Sequence, residues 1–226
     1  DVIFLHCSGY LNNDTNFANY FGKMYQPRYL SGLAAGAMTD SNKIGYVAAF
    51  PIPEVIRGIN AFAAGVNEVN PEATVEVVWT FTWFGPEAET QAANALLEKG
   101  ADVLAQHQDS TATGLAAEAA GAKWISYNTA YGQDSAPEAF VTAPVWDWGP
   151  YYVNIVEQII DGTFTTESYW GGMETGLVSL YDLSSDVPSD TATLIAEKTE
   201  AIIDGSLEVE IVEEEFISNV IGTVNP

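Results

Sequence analysis

Basic residues are scarce in this sequence: 7 Lys and Arg stand against 31 Asp and Glu, which gives a formal net charge of −24 at pH 7. Proteins that bind nucleic acids or anionic membranes need clustered Lys and Arg, so neither partner is expected. The acidic residues are spread along the chain, and we interpret them as a solvated surface. The charge therefore excludes partners without identifying one.

The sequence also has few cysteines and histidines and lacks long apolar runs. Cys7 is the only cysteine, which excludes an internal disulfide, and its apolar neighbours predict a small buried side chain. The 2 histidines, His6 and His107, cannot form a metal site of histidines and cysteines, so neither a metal nor another cofactor is predicted. No apolar run reaches about 18 residues, so no membrane span is expected.

Residues 43–62, KIGYVAAFPIPEVIRGINAF, predict a strand, a turn and a helix in succession. Residues 44–50 are apolar without alternation, which is typical of a parallel strand covered on both faces. Pro51 and Pro53 end this strand, and Pro53 suits the first turn of a helix, which does not need its missing N–H. The turn lies at the carboxyl end of the strand, where open parallel sheets bind ligands.

Strand and helix patterns alternate along the rest of the chain, as in a doubly wound parallel sheet with right-handed crossovers. Residues 12–19 are predicted to be a loop and residues 20–38 a helix. Further strands are predicted over residues 2–6, 74–81, 102–106, 123–127, 140–145 and 169–181. Helical patterns follow from residues 87, 112, 151 and 191. The predicted fold class is therefore α/β.

The turns that follow these strands should converge on one edge of the sheet, and they carry groups suited to an uncharged planar heterocycle. Flat faces for stacking come from Phe50, Trp83 and Phe84. Hydrogen-bonding groups come from Gln106, His107, Gln108 and Asn128. A phosphate is not expected, because the sequence has neither a glycine-rich phosphate loop nor a cluster of cations.

Three further residues are predicted to bind the ligand, and several of the candidates could have a structural role instead. Tyr10, Asn16 and Asp147 are also predicted to face the ligand, although Asp147 lies between two tryptophans that favour a hinge role. Trp83 can instead serve core or hinge packing, and His107 a structural hydrogen bond. No Gly-x-Ser-x-Gly motif is present, and no carboxylate pair stands out from the surface, so an enzyme is not predicted.

Four blocks in this order, KIGYVAAFPIPEVIRGINAF, VVWTFTWFGPEAE, GADVLAQHQDS and VWDWGPYY, resemble the basic-membrane-protein (PnrA-like) family. This family comprises purine nucleoside- or nucleobase-binding members of the substrate-binding proteins of ABC transporters. The resemblance implies a type I periplasmic-binding-protein fold, with two Rossmann-like parallel-sheet lobes joined by a hinge. It assigns residues 1–42 to the remainder of a first lobe whose N-terminal part is absent, and residues 43–143 to the second lobe. Residues 144–226 would form the hinge crossover, the return to the first lobe and a C-terminal tail.

The resemblance also implies a function. The protein would capture a purine nucleoside or nucleobase outside the cytoplasm, in the periplasm or at the cell surface, and deliver it to the permease of an ABC importer without a cofactor. A lipid anchor would suit the full-length protein. Gly85 stands where relatives carry an acidic residue, and Asn128 lies where they have a Gly-Tyr-x-x-Asp turn, so the ligand is less firmly implied than the binding function. A ligand-sensing receptor domain and, less favoured, a nucleoside hydrolase are the alternatives.

Overall fold

A computed structural model of the protein describes residues 2–128 and 130–224. The strands are β1 (Phe4–Cys7), β2 (Phe17–Gly22), β3 (Lys43–Ala48), β4 (Thr74–Trp79), β5 (Val103–Gln106), β6 (Lys123–Ile125), β7 (Phe140–Thr142), β8 (Pro144–Trp146), β9 (Tyr169–Gly171), β10 (Val178–Leu180) and β11 (Val220–Ile221). The helices are α1 (Tyr25–Met38), α2 (Pro53–Val69), α3 (Pro86–Glu98), α4 (Ala112–Ala119), α5 (Gly132–Ser135), α6 (Gly149–Asp161) and α7 (Ser189–Ile203). No helix in these two ranges is both long and apolar enough to cross a membrane.

Parallel pairing dominates the described strands. The larger sheet has six strands in the order β11-β4-β3-β5-β6-β7, and all its pairings are parallel. A smaller parallel sheet has the order β1-β2-β9, while β8 and β10 form an antiparallel pair. The chain passes from the larger to the smaller sheet through β8 and α6. The predicted α/β class with parallel sheets is confirmed.

Strand β3 lies inside the larger sheet, as its apolar sequence predicts. Ile44 and Tyr46 belong to the hydrophobic core beside α1 and α2, whereas Val47 packs in a second core with Leu96 of α3. All four side chains are almost completely buried, so β3 is covered on both faces. Helix α2 then begins at Pro53, which confirms the predicted βα unit.

Helices α1 and α2 pack with their backbones in direct contact. A Cβ atom placed on Gly32 of α1 would lie 2.0 Å from the carbonyl oxygen of Phe62. One placed on Gly65 of α2 would lie 2.1 Å from the carbonyl oxygen of Tyr29. Glycine is therefore required at both crossing positions, because any larger residue would force the helices apart.

Three of the predicted elements are wrong, because tertiary pairing overrides the local pattern. Residues 17–22 form β2 rather than the end of a loop and the start of a helix, since they pair with β1 on one side and β9 on the other. The strand predicted over residues 140–145 divides at Ala143 into β7 and β8, which belong to different sheets. The strand predicted over residues 169–181 divides into β9 and β10 around a 3-10 helix, Met173–Thr175.

Candidate ligand-binding cleft

A cleft of about 630 Å³ lies at the carboxyl ends of the parallel strands. Strands β4, β5 and β6 of the larger sheet end near residues on one side of it, and β1 and β2 of the smaller sheet on the other. The lining residues are Cys7, Ser8, Phe21, Ile52, Glu54, Trp83, His107, Asp109, Tyr127, Asn128, Trp146 and Trp148. Both its volume and its position suit a small organic ligand.

Aromatic rings supply much of the cleft wall. Trp83 follows β4, is 41% exposed, and packs with its ring centroid 5.4 Å from that of Phe50. Trp148 stacks on Trp146, with 4.6 Å between the ring centroids and 14° between the planes. Tyr127 follows β6 and contributes a further ring. Such faces can stack on a planar ring or on the C–H face of a sugar.

A chain of hydrogen bonds runs along this wall through Asn128. The side-chain amide of Asn128 donates from Nδ2 to the carboxylate of Asp109, and its Oδ1 accepts from Nε1 of Trp146 at 3.0 Å. The backbone of Asn128 is left-handed, with φ of 69°, and its N–H donates to the carbonyl of Pro144 at 3.0 Å. An ionised carboxylate accepts several hydrogen bonds, so Asp109 keeps acceptor capacity for a ligand.

His107 follows β5 and forms part of the cleft floor. It is 5% exposed, and its main-chain N–H donates to the carbonyl of Val47 at 3.0 Å. Burial, together with the nearby charge of Arg28, lowers the pKa of His107 well below its usual value. The imidazole is therefore neutral at pH 7 and offers a ligand no positive charge.

The charged groups that line the cleft are acidic. Burial raises the pKa of Glu54, an effect partly opposed by Arg57 and Arg28. Burial also raises the pKa of Asp109, and the hydrogen bond from Asn128 opposes that shift. Neither Lys nor Arg occurs among the described residues that line the cleft, so a neutral ligand with hydrogen-bond donors fits better than an anion. Residues 2–128 and 130–224 contain no group of three or more His, Cys, Asp or Glu that could hold a metal ion.

Three of the residues predicted to bind ligand, Trp83, His107 and Asn128, line the cleft. The remaining predicted residues are Phe50, Phe84, Gln106, Gln108, Tyr10, Asn16 and Asp147, and they lie outside its lining. Phe50 lies beside the lining, since its half-buried ring packs against that of Trp83.

Gln106 and Gln108 use their amides inside the protein. The Nε2 of Gln106 donates to the carbonyls of Gln108 and Ser110 at 2.8 and 2.6 Å, and its Oε1 accepts from Nε1 of Trp124 at 3.0 Å. The Nε2 of Gln108 donates to the hydroxyl of Thr80 at 2.7 Å. Both glutamines are 1% exposed, so they shape the turn after β5 rather than present free amides.

The other predicted residues also lie outside this lining. Phe84 and Tyr10 are 66% and 89% exposed on the surface. Asn16 lines a separate cavity beside the start of β1, and Asp147 accepts a hydrogen bond from the N–H of Gly149 at the start of α6. Their role in ligand binding stays a prediction.

Sequence reasoning missed Glu54, Asp109 and Tyr127 as lining residues. Each lies within or just after a strand-exit turn, and this position was the available signal. The prediction that Cys7 is buried is wrong: its side chain is exposed and lines the cleft. Among the described strands, Cys7 ends β1, which lies at the edge of the smaller sheet.

Comparisons with known proteins agree with this architecture. Residues 1–212 match the family model described as ABC transporter substrate-binding protein, PnrA-like. A putative ABC transporter glucose-binding protein of Haloferax volcanii is 44% identical over 209 residues, which cover 92% of this chain and 53% of that protein. A purine-binding protein of Brucella abortus is 40% identical over 208 residues, covering 90% of this chain and 57% of that protein. The chain thus spans about half the length of the curated relatives it matches.

Solved structures give the same result for the fold. A solved structure of an ABC transporter solute-binding protein from Conexibacter woesei superimposes with a TM-score of 0.74 at 25% identity, covering 93% of this chain and 72% of that one. The resemblance and the periplasmic-binding-protein type of fold predicted from the sequence are both confirmed.

Proposed function

The chain belongs to the PnrA-like family of ABC transporter substrate-binding proteins, and we propose that its cleft binds a purine nucleoside or nucleobase. The observation that carries this proposal is the position of Trp83 in the same cleft as the hydrogen-bonded pair Asn128 and Asp109. A flat aromatic face beside fixed donors and acceptors suits a neutral heterocycle, which stacks through its ring and hydrogen-bonds through its edge. The purine-binding relative supports the same ligand class.

Glucose is the second candidate, because the relative that is 44% identical is named as a putative glucose-binding protein. The carboxylates of Glu54 and Asp109 could accept hydrogen bonds from sugar hydroxyls, and Trp83 could stack on a sugar ring. A sugar and a purine would therefore use the same side chains, and direct binding measurements distinguish the two ligands.

The proposed role is delivery of the ligand to the permease of an ABC importer. Substrate-binding proteins of such importers act outside the cytoplasm, so the proposed location is the periplasm or the cell surface. In this mechanism one lobe contains the smaller sheet of β1, β2 and β9, and the other contains the larger sheet, which includes β11. Contacts that the ligand makes with both lobes favour the closed state, which the permease then recognises. No chemical step is required in this mechanism.

Isothermal titration calorimetry against adenine, hypoxanthine, adenosine, guanosine and glucose tests the proposal. We expect at least one purine to bind with a Kd of about 1 μM or below, and adenosine monophosphate to fail because the cleft is acidic. Binding of glucose alone would replace the purine with the second candidate. Failure of every ligand would contradict both. Release of ribose or free base from a nucleoside would instead indicate a hydrolase.

A further inference from the structure

A completely buried cation, Arg28 of α1, lies beneath the floor of the cleft. Its exposure is 0%, and its Nη1 donates to the main-chain carbonyl of Gln106 at 2.8 Å. Its Nε and Nη2 have no hydrogen-bond partner, and it forms no ion pair with a carboxylate of the described residues. Buried N–H groups of a guanidinium are costly without acceptors, so this position calls for one.

A small cavity of about 10 Å³ borders Arg28. Its lining includes Glu54, His107 and Tyr127, and these three residues also line the cleft. The volume corresponds to a single water molecule. Its walls carry both kinds of hydrogen-bonding group, because Arg28 only donates and the Glu54 carboxylate only accepts. Arg57, which is paired with Glu213, and His107, whose Nδ1 also lacks a partner, border the same cavity.

We propose that this cavity is a binding site for one water molecule, which accepts a hydrogen bond from Arg28 and donates one to Glu54. A chloride ion is the competing occupant, since it also accepts hydrogen bonds from a guanidinium. Chloride cannot donate to Glu54, however, and the carboxylate opposes its attraction to Arg28, while the second guanidinium in the lining, Arg57, is already paired with Glu213. Water satisfies both neighbours, as buried waters in proteins commonly do with two to four partners.

The water site gives Arg28 a positioning role for the ligand. The guanidinium carbon of Arg28 lies 4.0 Å from the centroid of the Tyr127 ring, and its Nη1 holds the carbonyl just before His107. Through the water it also holds Glu54. Arg28 therefore fixes three residues of the cleft lining without reaching the ligand itself, a consequence that rests on the proposed function.

Crystals of the wild-type protein grown in sodium bromide test the site without any ligand. We expect a density peak within hydrogen-bond distance of Arg28 Nη2 or Nε and of the Glu54 carboxylate, with no anomalous signal at the bromine edge. An anomalous peak would identify a halide and overturn the water bridge. An empty cavity would overturn the site altogether. Neither result depends on which solute the cleft binds.

Arg28→Met tests the positioning role, because it keeps a long unbranched stem but removes every donor. We expect ligand affinity to fall about tenfold, because the contact that positions Tyr127 is lost. The thermal midpoint should stay level or rise, because a buried charge without an ion-pair partner is removed. Glu54→Gln should keep the water, because the amide oxygen still accepts its hydrogen bond, whereas Glu54→Leu removes that acceptor. The Gln variant should therefore bind ligand more tightly than the Leu variant. Lys198→Met is the matched control, because it deletes a cation paired with Glu68 outside the cleft. Unchanged affinity in folded Arg28→Met would refute the positioning role, whereas a wild-type protein that binds no solute would refute the proposed function alone.

Discussion

Trp83→Ala is expected to raise the Kd of a stacking ligand by about tenfold or more. One stacked base contributes about 1 to 3 kcal/mol, and each 1.4 kcal/mol is about a tenfold change in Kd. The effect on folding should be small, since Trp83 is 41% exposed and its main ring contact is Phe50. Surface substitutions usually change the free energy of unfolding by about 0.5 kcal/mol or less, and the loss of one partly exposed ring contact stays near that range.

The adjacent residue provides a matched control for this prediction. Phe84 is 66% exposed and outside the cleft lining, so Phe84→Ala should leave the Kd unchanged. Calorimetric titration of both variants with the tightest wild-type ligand, after circular dichroism has shown that each is folded, gives the comparison. A folded Trp83→Ala protein with wild-type affinity would remove Trp83 from the site. Equal losses in both variants would show that the whole turn after β4 matters, and not the Trp83 ring.

Three further predictions follow. Because the pKa of His107 is lowered in the folded state, the unfolded state binds a proton first as the pH falls below about 6.5. His107 thus destabilises the fold on acidification. Between about pH 6 and about pH 5, the free energy of unfolding of His107→Gln, measured with urea, should therefore decrease by about 1 kcal/mol less than that of wild type. Substitution of the exposed His6 by Gln is the control. Cys7 is exposed at the cleft, so bound ligand should slow its alkylation by iodoacetamide, measured by mass spectrometry; an equal rate with saturating ligand would contradict the cleft as the binding site. Asn128→Gly tolerates the left-handed backbone but removes the side-chain hydrogen bonds with Asp109 and Trp146, so affinity should fall about tenfold and the free energy of unfolding by about 1 to 3 kcal/mol; intact affinity would exclude Asn128 and Asp109 from ligand binding.

The sequence was sufficient where local chemistry decides the structure. Residues 44–50 could be identified as a buried strand because a short apolar run without alternation has few other stable arrangements. Pro53 fixes the start of α2, since a proline is tolerated in the first turn of a helix and not in its interior. The location of the cleft follows from these two facts, because parallel strands end at one edge.

The sequence was insufficient where the direction of one side chain decides the site. Gln106 ends β5 and Asp109 lies three positions later in the turn that follows, yet only Asp109 lines the cleft. Gln106 is turned inward because Trp124 on β6 and the carbonyl of Ser110 satisfy its amide, and neither contact is visible in the local sequence. Arg28 poses the same problem more strongly, since an arginine in a helix is expected to be exposed and here it is completely buried.

Asn128 connects the ligand-binding edge to the segment that joins the two parallel sheets. It follows β6 of the larger sheet, while its Oδ1 and main-chain N–H bond Trp146 and Pro144 of β8. Strand β8 leads into α6, and the chain continues from there to β9 of the smaller sheet. This is one of the crossings between the sheets, and bending of the chain at this crossing would occur close to these hydrogen bonds. Because Asn128 also donates to Asp109 in the cleft, a ligand that engaged Asp109 would act on the same hydrogen-bonded group that anchors this crossing segment, which is the coupling that the proposed ligand-driven closure requires.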